Sequence, residues 1–256
     1  MNGPLDQVAT WRVGCAGWSM PAAAVPDIAA AGSHLERYAR VFNCVEINSS
    51  FYRPHREATY ARWSSSVPAT FQFSVKVPRA ITHEGRLRDA EANLDAFLAQ
   101  VSGLGEKLAC LLIQLPPSLT FEAPIAHAFF AALRDRTSAL VVLEPRHASW
   151  FTASAYETGL KFGVDWVWAH PRPEGIDDAL VPEPTELLYL RLHGAPHLYH
   201  SAYDGAFIEQ TAQRMLAARG AGRRVWCIFD NTARGHAILN ARDLLQGLSA
   251  IDVESR

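Results

Sequence analysis

Glu46, Lys76, Glu144, Arg191, His193 and Asp230 each end or interrupt a short apolar run, where a buried segment should not meet charge. The clearest case is Leu140-Val141-Val142-Leu143, which runs straight into Glu144-Pro145-Arg146-His147. Two carboxylates and one amine can divide acid and base work when their surroundings push their pKa values apart. Glu46 and Glu144 are therefore the candidate acid–base residues. Lys76 is the candidate electrophile, or a Schiff-base nucleophile if it is desolvated or set beside another cation. Arg146 and Arg191 can clamp a carboxylate or phosphate with two parallel hydrogen bonds. Trp18, Asn48, Tyr52, Gln114, His193, Asp230 and Asn231 complete the candidate binding set. The rings of Trp18, Phe51, Tyr52, Trp150, Tyr199 and Tyr203 suit a sugar or a nucleobase, although most aromatic side chains serve packing.

The same residues support other readings. Glu46, Glu144, His193 and Asp230 are acceptable ligands for zinc, manganese or magnesium. No tight ligand spacing supports a metal, and Lys76 and Arg191 compete for the same carboxylates. No cofactor is assigned, and a divalent metal serving phosphoester hydrolysis is the lesser alternative. A structural alternative is a self-neutralising ion-pair network. Buried pairs add little net stability over apolar substitutes, so structure alone is a weak reason to keep them.

Eight strand candidates must position these groups: 12–16, 44–47, 71–77, 109–115, 140–143, 162–168, 187–192 and 225–229. Helical patterns lie between most of them, at 34–42, 57–65, 89–101, 125–133, 153–159, 207–218 and 233–248. The first helix carries a capping box, Ser33 with Glu36. Strand alternating with helix eight times predicts a single (β/α)8 barrel of TIM type, with a core over about 12–249. Pro171-Arg172-Pro173 and Val181-Pro182-Glu183-Pro184 make the sixth unit irregular. A doubly wound open sheet would need a Gly-rich phosphate loop, and Gly14-Cys15-Ala16-Gly17-Trp18 is not one.

Side-chain parity tests whether the charges share a face. Leu188, Leu190 and Leu192 alternate with Tyr189, Arg191 and His193, so the leucines pack on helices and the polar set points inward. The same alternation turns Val45 and Ile47 outward and Glu46 and Asn48 inward. It turns Phe73, Val75 and Val77 outward and Ser74 and Lys76 inward. Glu144 then shares a face with Val142, and Asp230 with Ile228. The predicted site is the mouth at the carboxyl ends of the strands.

At 256 residues, 49% hydrophobic and 20% charged, with a net charge of -2, the chain fits one large core and has no global field for nucleic acid or an acidic membrane. Arg53, His55, Arg56, Arg79, Arg86 and Arg88 could still form a basic lip for a phosphate backbone; a solvated rim is the plainer reading. Cys15, Cys44, Cys110 and Cys227 stand singly in apolar segments and are expected to be buried, reduced thiols. No secretory h-region and no membrane-length apolar run is seen, so a cytoplasmic protein is expected.

Taken together, several segments resemble the YecE-like family, domain of unknown function 72. They are Gly14-Cys15-Ala16-Gly17-Trp18-Ser19, the run from Phe42 to Tyr52 around Glu46-Ile47-Asn48, and the run from Phe73 to His83 around Lys76. They continue with Gln114-Leu115-Pro116-Pro117-Ser118, Leu143-Glu144-Pro145-Arg146-His147 through Phe151, Tyr189-Leu190-Arg191-Leu192-His193-Gly194, and Phe229-Asp230-Asn231-Thr232-Ala233. The resemblance runs from about Val13 to the last helix and implies a TIM-type barrel, but no reaction. The family usually reads Asn-Asn at Asp230-Asn231, and often Ala-Asp where Ala169-His170 stands. The functional expectation is an enzyme, a hydrolase or isomerase, acting on a small polar or anionic metabolite. The alternative is a non-catalytic protein that binds a metabolite or nucleic acid.

Overall fold

The computed structural model describes residues 11–20 and 31–254. Its strands are β1 (Arg12–Cys15), β2 (Cys44–Ile47), β3 (Gln72–Lys76), β4 (Leu108–Gln114), β5 (Leu140–Glu144), β6 (Val164–Trp166), β7 (Trp168–His170), β8 (Leu187–Leu192) and β9 (Arg224–Phe229). All pair in parallel, in two sheets: five strands in the order β2-β3-β4-β5-β6 and four in the order β1-β9-β8-β7. The predicted single strand at 162–168 is two short strands, because the chain changes sheet at Val167.

The helices are α1 (His34–Tyr38), α2 (Ser49–Tyr52), α3 (Glu57–Ser65), α4 (Glu91–Val101), α5 (Ala123–Arg134), α6 (Ala153–Lys161), α7 (Gly205–Gly220) and α8 (His236–Glu254). The predicted capping box opens α1: the Ser33 hydroxyl accepts from Glu36 N–H, and the Glu36 carboxylate accepts from Ser33 N–H. Asp204 caps α7 by accepting from Phe207 N–H at 2.9 Å. The first helix ends at Tyr38, four residues short of expectation. α2 was not predicted. Between β7 and β8 the described chain holds only a 3-10 turn, Asp178–Leu180, as the prolines require.

Alternation sorts the strands into two cores. Val45, Ile47, Phe73, Val75, Leu188, Leu190 and Leu192 face the helices. Cys44, Leu112, Val142, Tyr189, Trp226 and Ile228, from both sheets, form a smaller core where the sheets face each other. There Tyr189 and Trp226 stack at 5.8 Å and 12°. All four cysteines are buried and unpaired.

Side chains tie the two sheets together where ladders do not. β1 and β2 meet through a single bridge, Ala16 with Glu46. The buried Tyr38 hydroxyl sits between them, accepting from Cys15 N–H at 2.7 Å and donating to Cys44 C=O at 2.9 Å. A Cβ on Gly14 would lie 2.3 Å from Cys44 O, so only glycine allows this approach. At the other junction the Asp165 carboxylate accepts from the N–H groups of Thr185, Glu186 and Leu187 and from the Thr185 hydroxyl. This links β6 to the start of β8. Among the described residues no helix is long and apolar enough to cross a membrane.

Candidate functional site

Arg191, on β8, is the hub of a charge cluster at the carboxyl ends of the strands. It is 0% exposed. Its Nε and Nη2 grip Glu46 of β2 at 2.9 and 2.7 Å, Nη1 donates to Glu144 of β5 at 2.5 Å, and Nη2 also reaches Asp230 at 3.0 Å. One guanidinium thus bonds carboxylates from both sheets, the planar recognition that arginine does best. Burial works against its charge, but Glu144, Glu46 and Asp230 outweigh that and push its pKa further up. Below it, the Tyr189 hydroxyl lies 2.9 Å from both Glu46 and Ser74. With one proton it donates to the carboxylate and accepts from Ser74.

His193, two residues along the same face, extends the cluster. Nδ1 is 3.0 Å from Asp230, while Nε2 is 2.9 Å from Glu144 and 2.7 Å from Nη2 of Arg146. Arg146 also donates to Glu144 in a very short bond. The Tyr199 ring meets the imidazole edge-on at 5.8 Å. Burial favours the neutral form of Glu144, yet Arg146, Arg191 and His193 together hold its carboxyl well below the usual range. Asp230 is also held down: burial opposes its charge, but Arg191 and His193 prevail. Asp230 is engaged through Oδ2, by Arg191 and His193.

Lys76 behaves differently. It lies at the end of β3, 8% exposed, and its amine has no hydrogen-bond or ion-pair partner among the described residues. Its amine sits 4.2 Å from the centre of the Phe51 ring. Burial first, and then the neighbouring Arg191, pull its pKa down to about 8, with Glu144, Glu46 and Asp230 opposing. The carboxylates are occupied by Arg191 and do not close on the amine. Phe51 is seated by α2, whose Ser50 hydroxyl lies 2.7 Å from Lys76 C=O and 3.0 Å from Ile47 C=O. That turn fastens β2 to β3.

The side chains of the remaining candidates make no bond to this cluster among the described residues. Trp18 and Asn48 line a separate cleft of about 360 Å³ with Gly17, Ser19, His34 and Ser49. Tyr52 is 73% exposed and touches Phe51 edge-on. Gln114 ends β4 in register with Glu144. Asn231 is buried, donating to Ser201 C=O and to Asn240 Oδ1, and so fixes the chain after β9. His170 bonds the Tyr203 hydroxyl at 3.1 Å. In the basic lip Arg79 pairs with Glu84, Arg88 with Glu122, and Arg86 with Ser118. Among the described residues no group of three or more His, Cys, Asp or Glu is arranged to hold a metal ion. Sequence reasoning did not nominate the Ser74 and Tyr189 hydroxyls or Asn240. The first two were signalled by parity, since they share the inward face with Lys76 and Arg191.

A family model described as a protein of unknown function, DUF72, matches residues 12–254. The UPF0759 protein YecE of Escherichia coli K12 is 31% identical over 131 residues, 51% of this chain and 47% of that protein, so the matched stretch spans about half that relative's length. The UPF0759 protein YunF of Bacillus subtilis is 24% identical over 94% of this chain and 95% of its own. Among solved structures, a DUF72 family protein from Thermotoga maritima superposes with a TM-score of 0.78 at 23% identity, covering 94% of this chain and 99% of its own. One from Enterococcus faecalis gives 0.76 at 21% identity, covering 94% and 98%.

Proposed function

This chain is a member of the DUF72 family, and from its own charge cluster we propose an enzyme that applies acid–base chemistry to a small, polar, anionic metabolite. Carbohydrates and phosphorylated compounds are the best-fitting classes. The observation that carries this reading is Lys76, whose amine has no hydrogen-bond or ion-pair partner among the described residues, while Arg191 takes up the hydrogen-bonding oxygens of Glu46, Glu144 and Asp230. A largely buried ammonium without a hydrogen-bond acceptor costs folding energy, and an arriving carboxylate or phosphate would accept from it. Arg146, whose buried Nε also has no partner, is the second cation of the anion site. Glu144 is ionised and starts as the base; Lys76, whose pKa is about 8, can serve as an acid when protonated and as a nucleophile when neutral. Glu46 and Arg191 act as positioning residues, since each satisfies the other.

In this reading the two sheets form one domain, a (β/α)8 barrel of TIM type whose sixth strand is interrupted at Val167. The Ala16–Glu46 bridge at one seam and the unbroken chain from β6 to β7 at the other support it. In such a barrel the carboxyl ends of the strands are where catalysis occurs. Four buried, unpaired thiols suit a cytoplasmic setting.

Calorimetric titration with sugar phosphates and sugar acids tests the reading. Wild type is expected to bind at least one class, and Lys76→Met to weaken that binding by about tenfold or more. Turnover of the bound compound would identify the reaction, while saturable binding that returns it unchanged would favour a binding protein. No binding by wild type to any of them would sink the proposal.

A further inference from the structure

We propose that Lys76 is a covalent nucleophile that condenses with an aldehyde or ketone bearing an anionic group, forming an imine. This deepens the anion-site reading and rests on it. The chain has three lysines against 21 arginines. Arginine holds its proton in proteins, so a lysine is the one basic side chain that can present a neutral amine. Lys107 donates to Ser64 C=O and Val67 C=O, and Lys161 lies at the surface beside His127. The Lys76 amine alone of the three has no hydrogen-bond partner among the described residues, and it stands within a built cluster.

The groups around that amine suit the chemistry. Arg191 from β8 disfavours the ammonium, and Glu46 from β2, Glu144 from β5 and Asp230 after β9 are held on Arg191 instead of on the amine. His83, in the turn after β3, is a further neighbour in the local field. The Phe51 ring shields one side. Desolvation next to a second cation is the arrangement that activates a lysine for imine formation. Once formed, a protonated imine carries the charge that the nearby carboxylates favour.

The step balances without a further reactant. The amine lone pair forms the C–N bond as the carbonyl pair moves onto oxygen. The surplus proton on nitrogen passes to that oxygen through water, giving a neutral carbinolamine. The hydroxyl then leaves with the second N–H proton as water, and the imine remains.

Glyoxylate with sodium cyanoborohydride tests the proposal, and glycolate, which has no carbonyl group, serves as its control. Reduction fixes the adduct as a mass gain equal to glyoxylate less one oxygen atom, and peptide mapping locates it. Lys76 is expected to be modified about tenfold or more faster than Lys107 or Lys161. Its rate should rise as pH passes through about 8, and glycolate should protect it. Lys76→Arg should lose that adduct and keep its fold, measured by circular dichroism. No adduct, or one no richer at Lys76 than at the other lysines, overturns the proposal. If glycolate still raises the melting temperature of wild type but not of Lys76→Met, the anion site stands while the imine falls. If it does neither and no adduct forms, both fall.

Discussion

Lys76 and Arg191 are neighbouring cations with opposite energetic roles. Arg191 satisfies three buried carboxylates, so Arg191→Ala strands them and should lower the unfolding free energy by about 3–5 kcal/mol in urea denaturation. Lys76 is held charged with no hydrogen-bond or ion-pair partner among the described residues, so Lys76→Met should raise stability at pH 7. The sign follows from linkage. Its pKa is about 8 folded against an ordinary 10.5, so between those values the unfolded chain binds the extra proton and stability rises with pH. Wild type should therefore gain on the order of 2–3 kcal/mol on Lys76→Met across that window. Subtracting the two profiles removes the buried tyrosines and cysteines, which titrate alike in both. Parallel profiles would mean that the amine is not perturbed. On the acid side, Glu144 and Asp230 have depressed pKa values, so the stability they contribute is present at neutral pH and is lost as pH falls below the ordinary carboxylate range.

At the scale of elements, period-two alternation made β2, β3, β5 and β8 readable, because one residue's slip would turn every charge outward. That is why Glu46, Lys76, Glu144, Arg191 and His193 converge as the pattern predicted. Two features were not readable. α2 is four residues long, too short to show a helical period, yet it positions Phe51 against Lys76. Ser50→Ala should loosen that seat and shift the pH midpoint of Lys76 modification toward the ordinary lysine value. The Asp165 staple lies on the inward face of a strand read as one piece, and its partners begin 20 residues later. Asp165→Ala leaves three backbone N–H groups unmatched and should cost about 3 kcal/mol or more, with Asp165→Asn costing less. Equal stability of Asp165→Ala and wild type in urea would contradict the staple.

At the scale of the whole molecule, the two sheets make unequal use of the chain. The five-stranded sheet draws on one continuous stretch, 44–166, whereas the four-stranded sheet joins β1 to strands from residue 168 onward. Gly14→Ala would wedge the first strand away from the second and should cost about 1–3 kcal/mol, read as a lowered urea midpoint. The split also has a consequence for the order of synthesis. Glu46 and Glu144 belong to the half that leaves the ribosome first, and Arg191 arrives only with β8. An emerging five-stranded half therefore holds Glu46 without its two-pronged partner, although Arg146 already pairs with Glu144. It should remain open to protease in stalled chains until β8 and β9 are out; early protection would argue otherwise. The arginine that organises the finished site would then also be the residue whose arrival lets the first half close.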